Sequence, residues 1–192
     1  MNSISKLKAA AAAISAVMVA GVAAGALYLG LQYLNGNFHE VIAGELYRSG
    51  QLTPEWIDHY VDKTGIKTIV NLRGKNVGAQ WYDAEVSEAS KKGVAHIDFA
   101  MSAKRELSEA QAVELIAILK SAQKPILIHC EGGADRTGLA SAIYLAAIKK
   151  SGEVAAEGQM SVSFGHFSLP ILQSYAMNQT FEKLEPSFGY QD

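Results

Sequence analysis

From Ala9 to Leu34 no charged side chain interrupts the run AAAAAISAVMVAGVAAGALYLGLQYL, and the next charge after Lys8 is Glu40. A membrane-crossing helix needs about 20 apolar residues, so the pattern predicts an anchor within residues 1–34. The competing reading is a cleaved signal segment, with the small residues Ala24 to Ala26 as its processing site. The centre of a signal peptide spans about 7 to 15 residues. Here the apolar run continues through Leu27, Leu29, Leu31 and Leu34, which favours an uncleaved anchor. Lys6 and Lys8 precede the run, so the positive-inside tendency leaves the N-terminus cytoplasmic and the remainder outside, in a bacterial cell the periplasm. Cleavage would release the remainder into the same space. Gly21 and Gly25 form a small-xxx-small pair that an Ala- and Gly-rich run produces by chance.

Beyond the run, residues 35–44 read as a polar linker and residues 45–192 as one domain. GELYRSGQ is short and mixed. In TPEWIDHYVDKTG, Thr53 can cap a helix, Pro54 suits its first position and Gly65 stops it. IKTIVNLRG is a buried strand by its β-branched apolar run. A loop and helix follow, then a strand in VAHIDFAM. Ser108 with Gln111 forms a capping box ahead of a helix whose Val113, Ile116 and Leu119 recur at helical spacing. Pro125 opens the strand PILIHC, a helix starts near Thr137 and ends at Lys149, Lys150 and Gly152, and the final forty residues read as mostly helical. Strands alternating with helices predict an α/β fold with a central, mainly parallel sheet.

Composition narrows the function classes. The 17 basic and 19 acidic side chains give a formal charge of −2, without the basic stripe that marks a nucleic-acid partner. The single cysteine, Cys130, cannot form an internal disulfide, so no structural bridge explains it.

Cys130 ends a buried strand, the edge at which α/β sheets bind ligands. Gly132 and Gly133 allow a sharp turn, and a helix N-terminus follows. The backbone N–H groups of such a turn, with the unpaired donors of the helix start, make a nest for an oxyanion of phosphate size. The same field, with Arg136, favours the thiolate form of a cysteine at its centre. Arginine can grip two phosphoryl oxygens at once and hold them as charge moves. A lone cysteine ending a strand is ordinarily filler. Here His129, Gly133, Arg136, Thr137 and Gly138 all accompany it, in the strand–loop–helix context that nucleophilic chemistry needs.

HCEGGADRTG resembles the His-Cys-x5-Arg-Thr/Ser-Gly signature of the cysteine-based protein tyrosine phosphatase superfamily. LYRSGQLTPEWI, GIKTIVNLRG, HIDFAMSAKRELS and KPILIHCEGGADRTG together resemble its compact dual-specificity branch, from about Glu45 to Ser151. The resemblance implies a metal-free and cofactor-free two-step reaction. Cys130 attacks phosphorus to give a phosphocysteine, the backbone of Glu131, Gly132, Gly133, Ala134, Asp135 and Arg136 cradles the phosphoryl group, and water releases it. Thr137 is implied as a hydrogen-bond donor to the thiolate, and His129 as a support of the loop.

The general acid departs from the pattern, because the loop AMSAKRELS lacks the expected aspartate. Two carboxylates remain, Asp98 in HIDFA and Asp135 beside Arg136. Asp135 is favoured, since the G-x-D-R-T arrangement resembles myotubularin-type and some bacterial lipid-active phosphatases. Arg48 and Arg73 read either as site-lining residues or as structural ion-pair partners, and His166 as a packed or capping histidine. Glu131 and Ala134 stand where inositol-lipid phosphatases of this branch often have lysines, so Glu131 weighs against a highly phosphorylated head group. A phosphoprotein substrate is placed slightly ahead of a phospholipid beside the membrane. Two competing classes are a phosphate-binding module without turnover, and rhodanese-type or arsenate-reducing chemistry. Rhodanese-type proteins lack the Arg-Thr-Gly continuation, and arsenate reducers need cysteines that this chain does not have.

Overall fold

The computed structural model describes residues 3–190, and the chain divides into two units, residues 1–35 and 36–192. In the first, Ser3–Leu34 is one helix, α1. Its stretch Ala11–Gln32, 22 residues with a mean hydropathy of 2.0, is long and apolar enough to cross a membrane by length and composition.

The second unit is built on five strands: β1 (His39–Ile42), β2 (Leu46–Ser49), β3 (Thr68–Asn71), β4 (Ala95–Asp98) and β5 (Ile126–His129). Their order is β1-β2-β5-β3-β4. Only β1 runs antiparallel, against β2; the β2–β5, β5–β3 and β3–β4 pairs are parallel. The mainly parallel sheet expected from the alternating pattern is therefore present.

Helices α2 (Pro54–Thr64), α3 (Gln80–Lys91), α4 (Glu109–Ser121), α5 (Asp135–Ile143), α6 (Glu153–Glu157) and α7 (Ala176–Phe188) complete the unit. Apolar side chains pack on both faces of the sheet, as parallel strands require. Ile69 and Leu127 join Ile57, Tyr60 and Ala89 of α2 and α3 on one face. Val70, Ile126 and Ile128 join Leu115, Leu119, Leu139, Ile143 and Phe181 on the other. One-residue alternation along β3 and β5 thus serves two cores, and places the end of β5 between them.

The local signals act as read. Thr53 Oγ1 accepts from Trp56 N, and Gly65 closes α2 in the left-handed region at φ 72°. Ser108 and Gln111 form the reciprocal capping box of α4.

Three boundaries differ. Residues 35–44, expected as a linker, contain β1, whose His39 pairs with Arg48 and Ile42 with Leu46. The helix expected near Thr137 starts at Asp135 and continues as a π-helical turn over Tyr144–Ile148. The final forty residues are less helical than expected. Between α6 and α7 the chain is irregular apart from single 3-10 turns at Val162–Phe164 and Gln173–Tyr175.

Candidate active site

β5 lies between β2 and β3, so Cys130 emerges at the centre of the sheet's carboxyl edge. Its side chain is buried within the larger core. The next turn runs beneath the start of α5, and Gly133 adopts φ 73° there. A Cβ on Gly133 would lie 2.5 Å from Gly50 N and 2.6 Å from the Ser49 carbonyl carbon, so glycine alone fits.

The carbonyls of this loop are held from outside it, one after another. Gln51 N donates to Glu131 O at 2.9 Å. Asn37 Nδ2 donates to Gly132 O at 2.9 Å. Arg48 Nη2 donates to Gly133 O at 2.9 Å and to Ala134 O at 3.3 Å, and Gly138 N donates to Ala134 O at 2.9 Å. In a trans peptide the C=O and the following N–H point opposite ways. Carbonyls tied outward from Glu131 to Ala134 therefore turn the N–H groups of Gly132, Gly133, Ala134 and Asp135 toward the other side. The first-turn donors of α5 add to them. A concavity lined with N–H groups suits an oxyanion.

Arg48 is the centre of this clamp. Its side chain is wholly buried, its Nη1 donates to Gln159 O at 2.6 Å and Gln159 Oε1 at 3.0 Å, and its guanidinium carbon lies 3.9 Å from the centroid of Phe164. Burial pulls its pKa down to about 9, against the opposing pull of Cys130, which leaves it charged at neutral pH. Of the two roles the sequence left open, Arg48 takes neither: it holds backbone carbonyls. Arg73 stacks on Trp81 at 3.5 Å and donates to Gln51 Oε1 at 2.8 Å.

Beneath the loop, His129 Nε2 lies 3.1 Å from Glu85 Oε1, which also meets His96 Nε2 at 2.8 Å. Burial raises the pKa of Glu85, but the two imidazoles outweigh it and bring it to about 2. His129 thus meets α3 through a glutamate that the sequence did not single out, while its Nδ1 lies 3.3 Å from Cys130 O.

An open pocket of about 490 Å³ is lined by Cys130, Glu131, Gly132, Ala134, Asp135 and Arg136, with Ser102, Ala103 and Lys104 opposite. Arg136 Nη2 lies 3.9 Å from the exposed Glu131 carboxylate. Its Nε is buried and finds no hydrogen-bond partner among the described residues, a donor suited to a phosphoryl oxygen. Thr137 differs from the implied role: its hydroxyl donates to Ser49 O at 3.3 Å rather than to Cys130.

The two carboxylates are placed differently. Asp98 accepts from Asn71 Nδ2 at 2.9 Å and from Tyr82 Oη at 2.6 Å, and it does not line the Cys130 pocket. The bond to Asp98 pushes the Tyr82 hydroxyl up to about 12. Asp135 lines that pocket, and its Oδ1 lies 2.7 Å from His166 Nδ1. His166 is packed, as read from the sequence; its contact with Asp135 was not anticipated. Asn37, assigned to the linker, also bridges to Phe164 O at 2.9 Å. Its left-handed φ of 50° suits asparagine.

Residues 33–178 match the family described as DSP-PTPase phosphatase fused to NAD+ kinase. No curated protein sequence matches. Among solved structures, P. aeruginosa TpbA in complex with pTyr aligns with a TM-score of 0.61 at 20% identity, covering 81% of this chain and 92% of that one. PTPMT1 in complex with PI(5)P aligns at 0.59 and 12%, covering 78% and 97%. The core catalytic domain of the PP-IP phosphatase SIW14 from S. cerevisiae aligns at 0.57 and 19%, covering 81% and 94%. At these identities the three structures share the fold with this chain.

Proposed function

The chain belongs to the DSP-PTPase phosphatase family matched over residues 33–178, and from that premise we propose that it hydrolyses phosphomonoesters through Cys130 without a metal or cofactor. The observation that carries this reading is the outward tethering of the Glu131, Gly132, Gly133 and Ala134 carbonyls around Cys130.

In this reading the Cys130 thiolate attacks phosphorus while the bond to the leaving oxygen breaks. The loop N–H groups and Arg136 hold the equatorial oxygens, whose charge they stabilise most as the phosphoryl group transfers. Asp135 gives its proton to the leaving oxygen and becomes a carboxylate. Water then attacks the phosphocysteine, Asp135 takes a proton from it, and phosphate leaves with the thiolate restored. Asp135 is preferred to Asp98 because it lines the pocket of Cys130, whereas Asp98 is committed to Asn71 and Tyr82.

A phosphotyrosine or other phosphoprotein is the substrate class placed first, supported by the pTyr complex of TpbA. The exposed Glu131 carboxylate at the rim opposes added phosphates on an inositol ring. A phospholipid is the second reading, favoured by the exposed Phe167, Leu169, Ile171 and Leu172 on the segment carrying His166 and by the PI(5)P complex of PTPMT1. In both, α1 anchors the enzyme in a membrane with its catalytic unit in the periplasm.

Hydrolysis of para-nitrophenyl phosphate by the full-length protein, with and without chelator, tests the reading. Chelator-resistant turnover that is lost in Cys130→Ser and in Arg136→Ala is expected. A folded wild type that binds phosphate without turnover would instead identify a phosphate-reading module.

A further inference from the structure

We propose that His166 is the positioning residue for Asp135, holding one carboxylate oxygen so that the other serves the leaving group, and stabilising the carboxylate formed when the proton is given up. This rests on the reading of Asp135 as the general acid.

The ring is wholly buried and bonded at both nitrogens. Asn178 Nδ2 donates to Ser168 Oγ at 3.1 Å, which turns Asn178 Oδ1 toward His166 Nε2 at 2.8 Å. An amide oxygen can only accept, so Nε2 carries a hydrogen. The other nitrogen, Nδ1, faces Asp135 Oδ1 at 2.7 Å. With Nε2 already protonated, an ionised Asp135 can be met at that distance only by an imidazolium donating from Nδ1 as well. Asn178 therefore fixes the hydrogen on Nε2, and Nδ1 accepts in the neutral ring and donates in the imidazolium.

The placement is unusual for a merely space-filling histidine. From Gly158 to Phe181 the chain has no Asp, Glu, Lys or Arg, and the ring from this uncharged segment is the one set against the acid of the Cys130 pocket. The groups acting on it are Asp135 from α5, Asn178 from α7 and Arg48 from β2. Burial and Arg48 oppose its charge, while bonds to Asp135 and Asn178 favour it; the net displacement is upward from the ordinary imidazole value.

The proton balance is simple. With Oδ1 bound to Nδ1–H, the transferable proton sits on Oδ2. As the P–O bond breaks, that proton passes to the leaving oxygen with the bond's electron pair remaining there, and Asp135 becomes anionic. The bond from Nδ1–H strengthens as this charge appears, because its acceptor is then ionised. The ring keeps both protons throughout. In the second half-reaction Oδ2 recovers a proton from the attacking water.

The test compares two aryl esters in full-length protein, phenyl phosphate with a poor leaving group and para-nitrophenyl phosphate with a good one. For His166→Gln, kcat/KM should fall roughly 10- to 100-fold with phenyl phosphate, at the low end of general-acid effects, and less than about threefold with para-nitrophenyl phosphate. Asn178→Leu keeps the ring and should show the same pattern more weakly, which preserves the test if His166→Gln does not fold. Nitrogen-15 titration of the His166 ring should show a midpoint above the ordinary imidazole value in wild type, and a lower one in Asp135→Asn. Equal losses on the two esters in both variants, or a wild-type His166 midpoint at or below the ordinary imidazole value, would overturn the proposal. If Asp135→Asn itself loses equally on both esters, the assignment of the acid falls and this role with it. If Asp135→Asn discriminates and the other two variants do not, only the role of His166 falls.

Discussion

Replacing Arg48 by lysine keeps a positive charge but removes the fork that spans two sets of acceptors. In the wild type, Nη1 serves Gln159 O and Oε1 while Nη2 serves Gly133 O and Ala134 O. One ammonium group can reach one set, so at least one buried carbonyl loses its donor. Hydrogen bonds to charged groups contribute about 1.5–3 kcal/mol each, and stacking of the cation on Phe164 adds about 1 kcal/mol. A net loss of about 2–4 kcal/mol follows, allowing for partial relaxation. At about 2–4 °C per kcal/mol for a domain of this size, the midpoint should fall by roughly 5–15 °C. Arg48 also holds two of the four carbonyls that orient the loop, so kcat/KM for para-nitrophenyl phosphate should fall well below what the folded fraction explains. The assay is thermal unfolding beside steady-state kinetics at a temperature where both proteins are folded. A midpoint within 2 °C of wild type and unchanged kcat/KM would refute the clamp.

Gly133→Ala should cost about 1–2 kcal/mol for the left-handed backbone and about 1–3 kcal/mol for overpacking against Ser49 and Gly50, with turnover lost in the folded fraction; calorimetry with para-nitrophenyl phosphate kinetics checks both. Glu85 is ionised far more readily folded, at about 2, than at its ordinary value of 4.5. Its contribution is therefore present above about pH 4.5 and disappears as pH falls toward 2, a difference of about 3 kcal/mol. Urea unfolding from pH 6 to pH 3 should show the wild type losing stability more steeply than Glu85→Gln, and parallel profiles would remove Glu85 from the account. Asp135→Asn should slow phenyl phosphate far more than para-nitrophenyl phosphate, while Asp98→Asn slows the two alike; the reverse pattern would move the acid to Asp98.

What could be read in the sequence was what short segments determine by themselves. The caps at Thr53 and Ser108 and the apolar runs of β3 and β5 act over a few residues, and each formed as expected. The loop from Cys130 to Arg136 was legible because its glycines, cysteine and arginine stand together in one strand–turn–helix unit. By contrast, β2 reads LYRS, with a charge inside a fully buried strand, and its pattern says nothing of a clamp on carbonyls 85 and 86 residues away. Asn37 reaches carbonyls 95 and 127 residues away and Glu85 of α3 meets His129 of β5, while Asn178 meets His166 and Ser168 of an irregular segment, so helical or strand spacing carried no signal for them. His166 was identified as packed, but the carboxylate it packs against follows from the path of an irregular segment between α6 and α7. The loss of helix there has a local cause: Pro170 lacks an N–H, and Gly165 takes φ 86°.

The most direct test of the central claim is to mix the full-length protein with para-nitrophenyl phosphate, quench within the first turnover and locate phosphate by mass spectrometry. A phosphoryl group on Cys130, absent in Cys130→Ser and accumulating in a variant slowed in the water step, is the predicted result. Burst release of para-nitrophenol with no phosphate on Cys130, or turnover that survives Cys130→Ser, would contradict it.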